Sequence, residues 1–192
     1  MTPDASIVIP VKGFATGKSR LAKVLSPEER DALNRRLAVH VLKAALELEA
    51  YVTVYILSPD ETIAEFAQSY SAHFLHQTTF GLNAGLSEAA VHLPAHRTIF
   101  LAADLPNLRS DDIEPLLQAT GIGLAPDHSQ TGTNALSVPE PDALPFSFGP
   151  HSMRLHHAAA KNLQLSVQLI QRPGLAIDLD TREDLERIKG WP

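Results

Sequence analysis

Apolar residues along this chain alternate between two spacings, one typical of strands and one of helices. Short runs rich in β-branched and aromatic residues predict strands at 7–9, 52–57, 73–75, 98–103, 122–125, 135–138 and 174–180. Between them, apolar residues three and four positions apart predict helices at 27–48, 60–70, 81–92, 110–119 and 152–163, with a last helix after Thr181. Strands that alternate with helices predict an α/β fold with a parallel sheet covered by helices.

The first predicted strand runs into a loop that carries glycines and positive charges. Ile7, Val8 and Ile9 form the strand, which breaks at Pro10. The loop then holds Lys12, Gly13, Gly17, Lys18 and Arg20. Such a loop suits phosphates, because glycine lets the backbone approach the oxygens closely while Lys and Arg neutralise them. An ordinary strand-to-helix loop with solvated lysines remains the alternative.

This loop is not a Walker A motif, which requires four residues between its first glycine and Gly-Lys-Ser/Thr. Only three residues separate Gly13 from Gly17 here. A Walker loop also leads directly into its helix, whereas this chain continues to Ser26, a good N-cap with Pro27 and Glu29 behind it. The spacing therefore argues against a P-loop NTPase.

Three aspartates follow predicted strands. Asp104 ends the strand at 98–103, and Asp178 and Asp180 lie two residues apart in the closing strand, a spacing that directs both side chains to one side. Ligands of parallel sheets bind at the carboxyl ends of strands, and carboxylate oxygens suit magnesium shared with substrate phosphates. Together with the cationic loop, these residues predict metal-assisted phosphoryl or nucleotidyl transfer. The alternative for Asp104 is a turn aspartate before Pro106.

Two further places offer donors to a ligand. Asn83, at the start of the helix at 81–92, is expected to cap that helix, although its amide would also suit a base or a ribose. Gly149 and Ser152 precede the helix at 152–163, where unpaired backbone amides would hold a phosphate. The polar loop at 127–134 offers additional donors. Routine capping and a flexible surface loop are the alternatives.

The amino-acid composition argues against several classes of protein. The 192 residues carry a formal net charge of −6, which argues against a protein that coats nucleic acid. The chain has no cysteine, hence no disulfide, thiolate metal site or cysteine nucleophile. It shows neither a signal region nor an apolar stretch long enough for a bilayer, so we expect a cytoplasmic protein without a membrane partner. Its length predicts one domain over residues 1–192.

Several segments together resemble the CofC/FbiD family, guanylyltransferases of deazaflavin coenzyme biosynthesis. The matching segments, in family order, are Ile9-Pro10-Val11-Lys12, Gly17-Lys18-Ser19-Arg20-Leu21, Leu82-Asn83-Ala84, Ala103-Asp104-Leu105-Pro106, Thr131-Gly132-Thr133-Asn134-Ala135-Leu136, Phe148-Gly149 with Ser152 and His156, and Asp178-Leu179-Asp180-Thr181. Each segment is weak alone, but as a set they are specific and cover nearly the whole chain. The resemblance implies a single Rossmann-like nucleotidyltransferase domain with a mostly parallel mixed sheet.

The resemblance also implies a reaction and roles for residues. GTP would react with 2-phospho-L-lactate, phosphoenolpyruvate or 3-phospho-D-glycerate. The implied nucleotide-binding residues are Pro10, Lys12, Gly13, Lys18 and Asn83; those for the phospho-acid are Thr133, Gly149 and Ser152; those for magnesium are Asp104, Asp178 and Asp180. Lys18, Arg20 and Asp104 would be catalytic, the two cations by stabilising the charge that develops on pyrophosphate.

One departure leaves the phospho-acid open. Many family members have Arg and Gly before the Thr-Gly-Thr-Asn element, where this chain has His128, Ser129 and Gln130. Two alternative functions also stay open: transfer to a sugar phosphate or molybdopterin by the same fold, and a non-catalytic GTP-sensing module. The retained Asp104, Asp178 and Asp180 argue against the latter. A homodimer is an open expectation, because oligomeric state is not readable from this sequence.

Overall fold

The computed structural model describes residues 4–15 and 17–188. Seven strands form one sheet in the order β3-β2-β1-β4-β6-β5-β7. Their bounds are Ala5–Pro10 (β1), Val52–Ser58 (β2), His73–His76 (β3), Arg97–Leu101 (β4), Ile122–Pro126 (β5), Thr133–Val138 (β6) and Val167–Leu169 (β7). β6 is antiparallel to both of its neighbours, and the other pairs are parallel. The predicted mostly parallel mixed sheet is confirmed.

Within the described residues, seven α-helices accompany the sheet, with a short 3-10 helix at Ser19–Leu21. They span Pro27–Leu46 (α1), Ile63–Ser69 (α2), Leu82–Ala90 (α3), Ser110–Leu117 (α4), Ser152–Asn162 (α5), Pro173–Ala176 (α6) and Arg182–Arg187 (α7). The capping box predicted for α1 is present, with Ser26 accepting from the backbone of Glu29 and the Glu29 carboxylate accepting in return. No helix within residues 4–15 and 17–188 combines the length and apolarity needed to cross a bilayer.

Alternation along the strands produces one apolar core on each face of the sheet. In β1, Ile7 and Ile9 face the core that α1, α2 and α4 cover, whereas Val8 faces the core beneath α3 and α5. The central strands are buried on both faces, which explains why they read as continuous apolar runs. Their carboxyl ends form the edge of the sheet from which the site is built.

One prediction along the closing part of the chain is wrong, and one strand there was not predicted. The strand predicted at 174–180 is not formed: Pro173–Ala176 is the short helix α6, and no strand is present from 177 to 180. Pro173 occupies a first-turn position of α6, where its fixed φ favours helix over strand. The seventh strand is instead β7, an edge strand of three residues whose weak apolar pattern was not recognised.

Candidate active site

The predicted phosphate loop and Asp104 follow two neighbouring strands. β1 and β4 pair in parallel, so the loop after Pro10 and the segment after Leu101 leave the same edge of the sheet side by side. Asn34, on α1, donates a 2.6 Å hydrogen bond to the carbonyl of Phe14 and holds the loop against α1. A Cβ at Gly17 would lie 2.5 Å from the Asn34 amide nitrogen, so a larger residue there would displace the Asn34 side chain.

Lys18 lies between two of the predicted metal-binding carboxylates. Its Nζ is 2.5 Å from Oδ2 of Asp104 and 3.1 Å from Oδ1 of Asp180, and its side chain is only 7% exposed. Burial by itself lowers the pKa of Lys18, but the charges and hydrogen bonds of the two carboxylates outweigh burial and raise it above 10.5. Lys18 is therefore a buried, permanently charged ammonium at the centre of the site. Arg20 is exposed and contacts the other Asp180 oxygen at 3.5 Å.

A small apolar cluster places the segment that carries Asp178 and Asp180. Leu179, between them, is fully buried against Leu21 from the phosphate loop and Leu37 from α1. Its backbone N–H also donates to the carbonyl of Asp104 at 3.0 Å. The cluster therefore ties three distant parts of the chain together and brings both aspartates to Asp104 without the predicted strand.

Asp178 is the carboxylate with the least favourable surroundings. Burial raises its pKa, and the nearby negative charges of Asp104 and Asp180 raise it further. The side-chain amide of Asn134, on β6, donates to its Oδ1 at 3.4 Å. Three carboxylates lie near one buried lysine, so an additional cation would be electrostatically favourable here.

The residue types at this site suit the magnesium ion that the family resemblance implies, because Asp104, Asp178 and Asp180 supply hard carboxylate oxygens. Over residues 4–15 and 17–188, however, no group of three or more acidic, histidine or cysteine side chains is arranged so that it could hold a metal ion. Magnesium binding by these three carboxylates therefore stays a prediction.

A cavity of about 550 Å³ opens above the carboxyl ends of β1 and β4. The predicted residues that line it are Pro10, Lys12, Gly13, Lys18, Asp104 and Asp180. The opposite wall is formed by the segment from Gln77 to Leu82, which includes the fully exposed Phe80. The volume is in the range of small-molecule sites, and the lining combines Lys12 and Lys18 with the carboxylates of Asp104 and Asp180.

The three predicted phospho-acid residues lie around the start of α5. Thr133 and Asn134 are consecutive on β6, so Asn134 faces Asp178 while Thr133 faces α5. Ser152 is the first residue of α5, and Gly149 precedes it with φ of 121°. The prediction of unpaired amides is wrong at Ser152, because its N–H donates to the Gly149 carbonyl at 3.1 Å. The binding roles of Thr133, Gly149 and Ser152 stay predictions.

The sequence predicts that Asn83 caps its helix, and this prediction is wrong. The N-cap of α3 is Gly81, and the Asn83 side chain instead bridges to the loop before α5. Its amide donates to the Phe148 carbonyl at 3.0 Å, and its oxygen accepts from the Phe148 N–H at 2.8 Å. Asn83 thus holds the loop that carries Gly149, and its role toward the nucleotide stays a prediction.

Replacing Asn83 with Ala should separate these two roles. The variant loses two partly buried hydrogen bonds, so we expect a lower melting temperature and a several-fold higher KM for the phospho-acid, because the loop before Gly149 loosens. Steady-state kinetics with each substrate varied in turn, together with thermal unfolding, measure both effects. Ser87→Ala, on the same helix, is the matched control. A rise in the KM for GTP alone would instead support direct nucleotide binding by Asn83.

Sequence reasoning missed His156, which lies among the predicted phospho-acid residues and contacts Thr133. His156 is fully buried on α5, with Nδ1 3.1 Å from the Thr133 hydroxyl and Nε2 accepting from the Ser147 N–H at 3.0 Å. The resemblance includes His156, but the residue pattern gave it no role. The signal that was available is its spacing: Ser152 and His156 lie four residues apart, on one face of the predicted helix.

Comparison with known proteins decides the family. The model of the guanylyl transferase CofC-like family matches residues 5–189. The chain belongs to this family. The phosphoenolpyruvate guanylyltransferase of Rubrobacter xylanophilus is 40% identical over 189 residues, which cover 95% of this chain and 92% of that protein. The enzyme of the same name from Chloroflexus aggregans is 40% identical over 191 residues, covering 94% and 95%.

Solved structures extend the likeness of this CofC-like protein to other nucleotidyltransferases. A nucleotidyl transferase from Methanothermobacter thermautotrophicus superimposes with a TM-score of 0.66 at 13% identity, covering 96% of this chain and 95% of that one. The CMP:2-keto-3-deoxy-manno-octonic acid synthetase complexed with CTP gives 0.62 at 18% identity, covering 96% of each. At these identities the likeness concerns the fold alone, and it confirms the predicted α/β fold.

Proposed function

We propose that this CofC-like enzyme transfers the guanylyl group of GTP to the phosphate of a three-carbon phospho-acid and releases pyrophosphate. Phosphoenolpyruvate is the first candidate acid, because relatives that are 40% identical over nearly the whole chain carry the name phosphoenolpyruvate guanylyltransferase. The observation that carries the proposal is the buried Lys18 between Asp104 and Asp180 on the floor of the cavity. On the family resemblance, we place the product in deazaflavin coenzyme biosynthesis.

The reaction needs positioning and charge neutralisation rather than a protein nucleophile. An oxygen of the acid's ionised phosphate attacks the α-phosphorus of GTP in line, a new P–O–P bridge forms, and the bond to pyrophosphate breaks. Lys18 is charged at any working pH and already lies at the cavity floor, so it can stabilise charge as pyrophosphate leaves. Exposed Arg20 can add a second positive charge from the rim.

We further propose that Asp104, Asp178 and Asp180 hold magnesium. When bound, magnesium supplies positive charge for the phosphate oxygens of both substrates. The protein's own contribution is to hold the three carboxylates in place, through the buried Leu179 and the Asn134 amide, before any substrate arrives. Thr133, Gly149 and Ser152 then place the acid next to them, on the α5 side of β6.

Pyrophosphate release in the presence of GTP and magnesium tests the function. Phosphoenolpyruvate, 2-phospho-L-lactate and 3-phospho-D-glycerate are compared side by side, with ATP and CTP as controls for the base and EDTA as the control for the metal. We expect turnover with GTP and one of the acids, strongest with phosphoenolpyruvate, and a guanylylated product by mass spectrometry. No turnover with any acid in folded protein would overturn the proposal, and turnover with a sugar phosphate would replace it.

A further inference from the structure

His156 is buried in an environment that leaves its imidazole only one protonation state. The ring has no solvent exposure, and the Phe148 ring packs edge-on against it with centroids 4.8 Å apart. Burial lowers the pKa of His156 to about 4, so the ring is neutral near pH 7. A neutral imidazole carries one N–H and one acceptor nitrogen, and its surroundings decide which is which.

The backbone of Ser147 decides the tautomer. A backbone N–H can only donate, so its 3.0 Å contact makes Nε2 the acceptor. The single imidazole proton must then lie on Nδ1, which is 3.1 Å from Oγ1 of Thr133. In this pair the imidazole donates and the threonine hydroxyl accepts.

That direction determines what Thr133 can do. Because Oγ1 accepts from His156, the hydroxyl proton must point away from the ring. Among the described residues, the structure records no protein acceptor for that proton. Thr133 begins β6, beside Asn134, whose amide contacts the proposed metal-binding Asp178. The proton therefore remains available to an anion bound on the α5 side of β6.

We propose that His156 is a positioning residue that turns the Thr133 hydroxyl proton toward the phospho-acid. The inference rests on the proposed function and assigns His156 a part in binding the acid rather than GTP. An oxygen of the acid's phosphate or carboxylate accepts the proton. The neutral ring suits this role, because it fixes a donor without placing a second charge beside the anion. Asn83 contributes indirectly, since it holds Phe148 against the ring.

Two substitutions separate the two hydrogen bonds of His156. In His156→Asn, the amide lies at the position of Nδ1 and can still donate to Thr133. In His156→Gln, the amide oxygen reaches the position of Nε2 and can still accept from Ser147, but the donor to Thr133 is lost. We expect His156→Gln to raise the KM for phosphoenolpyruvate about 10-fold, as expected for one lost hydrogen bond, with the KM for GTP unchanged. We expect His156→Asn to raise it less than about 3-fold.

A double-mutant cycle tests whether the effect passes through Thr133. In a Thr133→Val background no hydroxyl remains to be oriented, so His156→Gln should have no further effect on the KM for phosphoenolpyruvate. Thr133→Ser is the matched control, because it keeps the hydroxyl and should keep the dependence on His156. A full effect of His156→Gln in the Thr133→Val background would overturn the proposal and leave His156 with a purely structural role.

A substrate-free measurement keeps this inference distinct from the proposed function. Two-bond ¹H–¹⁵N NMR correlations of the imidazole in wild-type protein at pH 7 report the tautomer directly. We expect a protonated Nδ1 and an unprotonated Nε2, and the opposite tautomer would overturn the inference whatever the enzyme catalyses. If calorimetry shows no binding of any of the three acids, the proposed function fails and the ligand-directed part of the inference fails with it, although the tautomer is still decided.

Discussion

Lys18→Met is expected to lower kcat for guanylyl transfer by about 10²–10³-fold, the loss typical when one preorganised charge is removed from a phosphoryl-transfer or oxyanion site. Methionine keeps much of the length and apolar volume of the lysine stem, so the change removes mainly the ammonium. The Lys18 side chain is 7% exposed, and its ammonium contacts two carboxylates at 2.5 and 3.1 Å. Pyrophosphate release at saturating GTP and phospho-acid measures the effect.

The same variant makes a second prediction, about stability. Without Lys18, Asp104 and Asp180 lose the ammonium that lies between them, so we expect a lower melting temperature in EDTA. Added magnesium should restore more of that stability in the variant than in wild type. Lys23→Met, an exposed lysine in the same segment, is the control and should change neither property. Near-normal kcat in folded Lys18→Met protein would remove Lys18 from the mechanism.

Asp178→Asn should produce the other large effect, loss of turnover by at least about 10³-fold with the fold retained. Asparagine has the same shape as aspartate and keeps an oxygen for the Asn134 amide, so only the negative charge is lost. Isothermal titration with Mn²⁺ in the absence of substrates gives a readout that does not depend on activity, and we expect weaker binding. Normal Mn²⁺ affinity and normal turnover would show that Asp178 is not a metal ligand.

Without metal, Asp178→Asn is expected to stabilise the folded protein at pH 7. The pKa of Asp178 is raised in the folded protein by burial and by its two acidic neighbours. A carboxyl group whose folded pKa is raised destabilises the fold once the pH exceeds its unfolded value, because the ionised form is the less favourable one in the fold. Asp178→Asn should therefore raise the melting temperature at pH 7 without metal, whereas Asp111→Asn, in the exposed first turn of α4, should not.

The parts of the fold that were predictable are those with strong local patterns. β1 and β4 lie at the centre of the sheet and are apolar on both faces, and α1 has an apolar face, a capping box and Pro27 at its start. In these segments composition, periodicity and end signals all agree. Alternating strands and helices then restrict the topology, because parallel neighbours need helical crossovers. The α/β class and the sheet type were correctly predicted on that basis.

The last part of the chain was not predictable from local pattern. The apolar residues Leu175, Ile177 and Leu179 alternate as they would in a strand, yet their burial comes from tertiary packing rather than from a sheet. A Cβ at Gly174 would lie 2.1 Å from an oxygen of Asp112, so α6 packs closely against α4 there. Contacts of this kind depend on segments far apart in sequence and leave no periodic signal.

The candidate site, like the fold, has features that the sequence predicted and features that it did not. The residue types of the phosphate loop and the three aspartates indicated their chemistry, and the structure brings them together. What the sequence did not indicate is how they are held: Asn34 on the loop carbonyl, Leu179 in a separate apolar cluster, and the hydrogen bonds of His156. A side chain that supports another looks like any polar or apolar helix residue until its partner is known.

The Lys18–Asp180 contact joins residues 162 positions apart, so the site depends on the docking of a segment that belongs to no strand. All seven strands of the described sheet precede Asp178 and Asp180 in the chain. The segment from Asp178 to Asp180 is held by Leu179, which packs on Leu21 and Leu37 in a cluster separate from the two cores of the sheet. Local detachment of this segment would therefore dismantle the carboxylate site while the sheet stays formed.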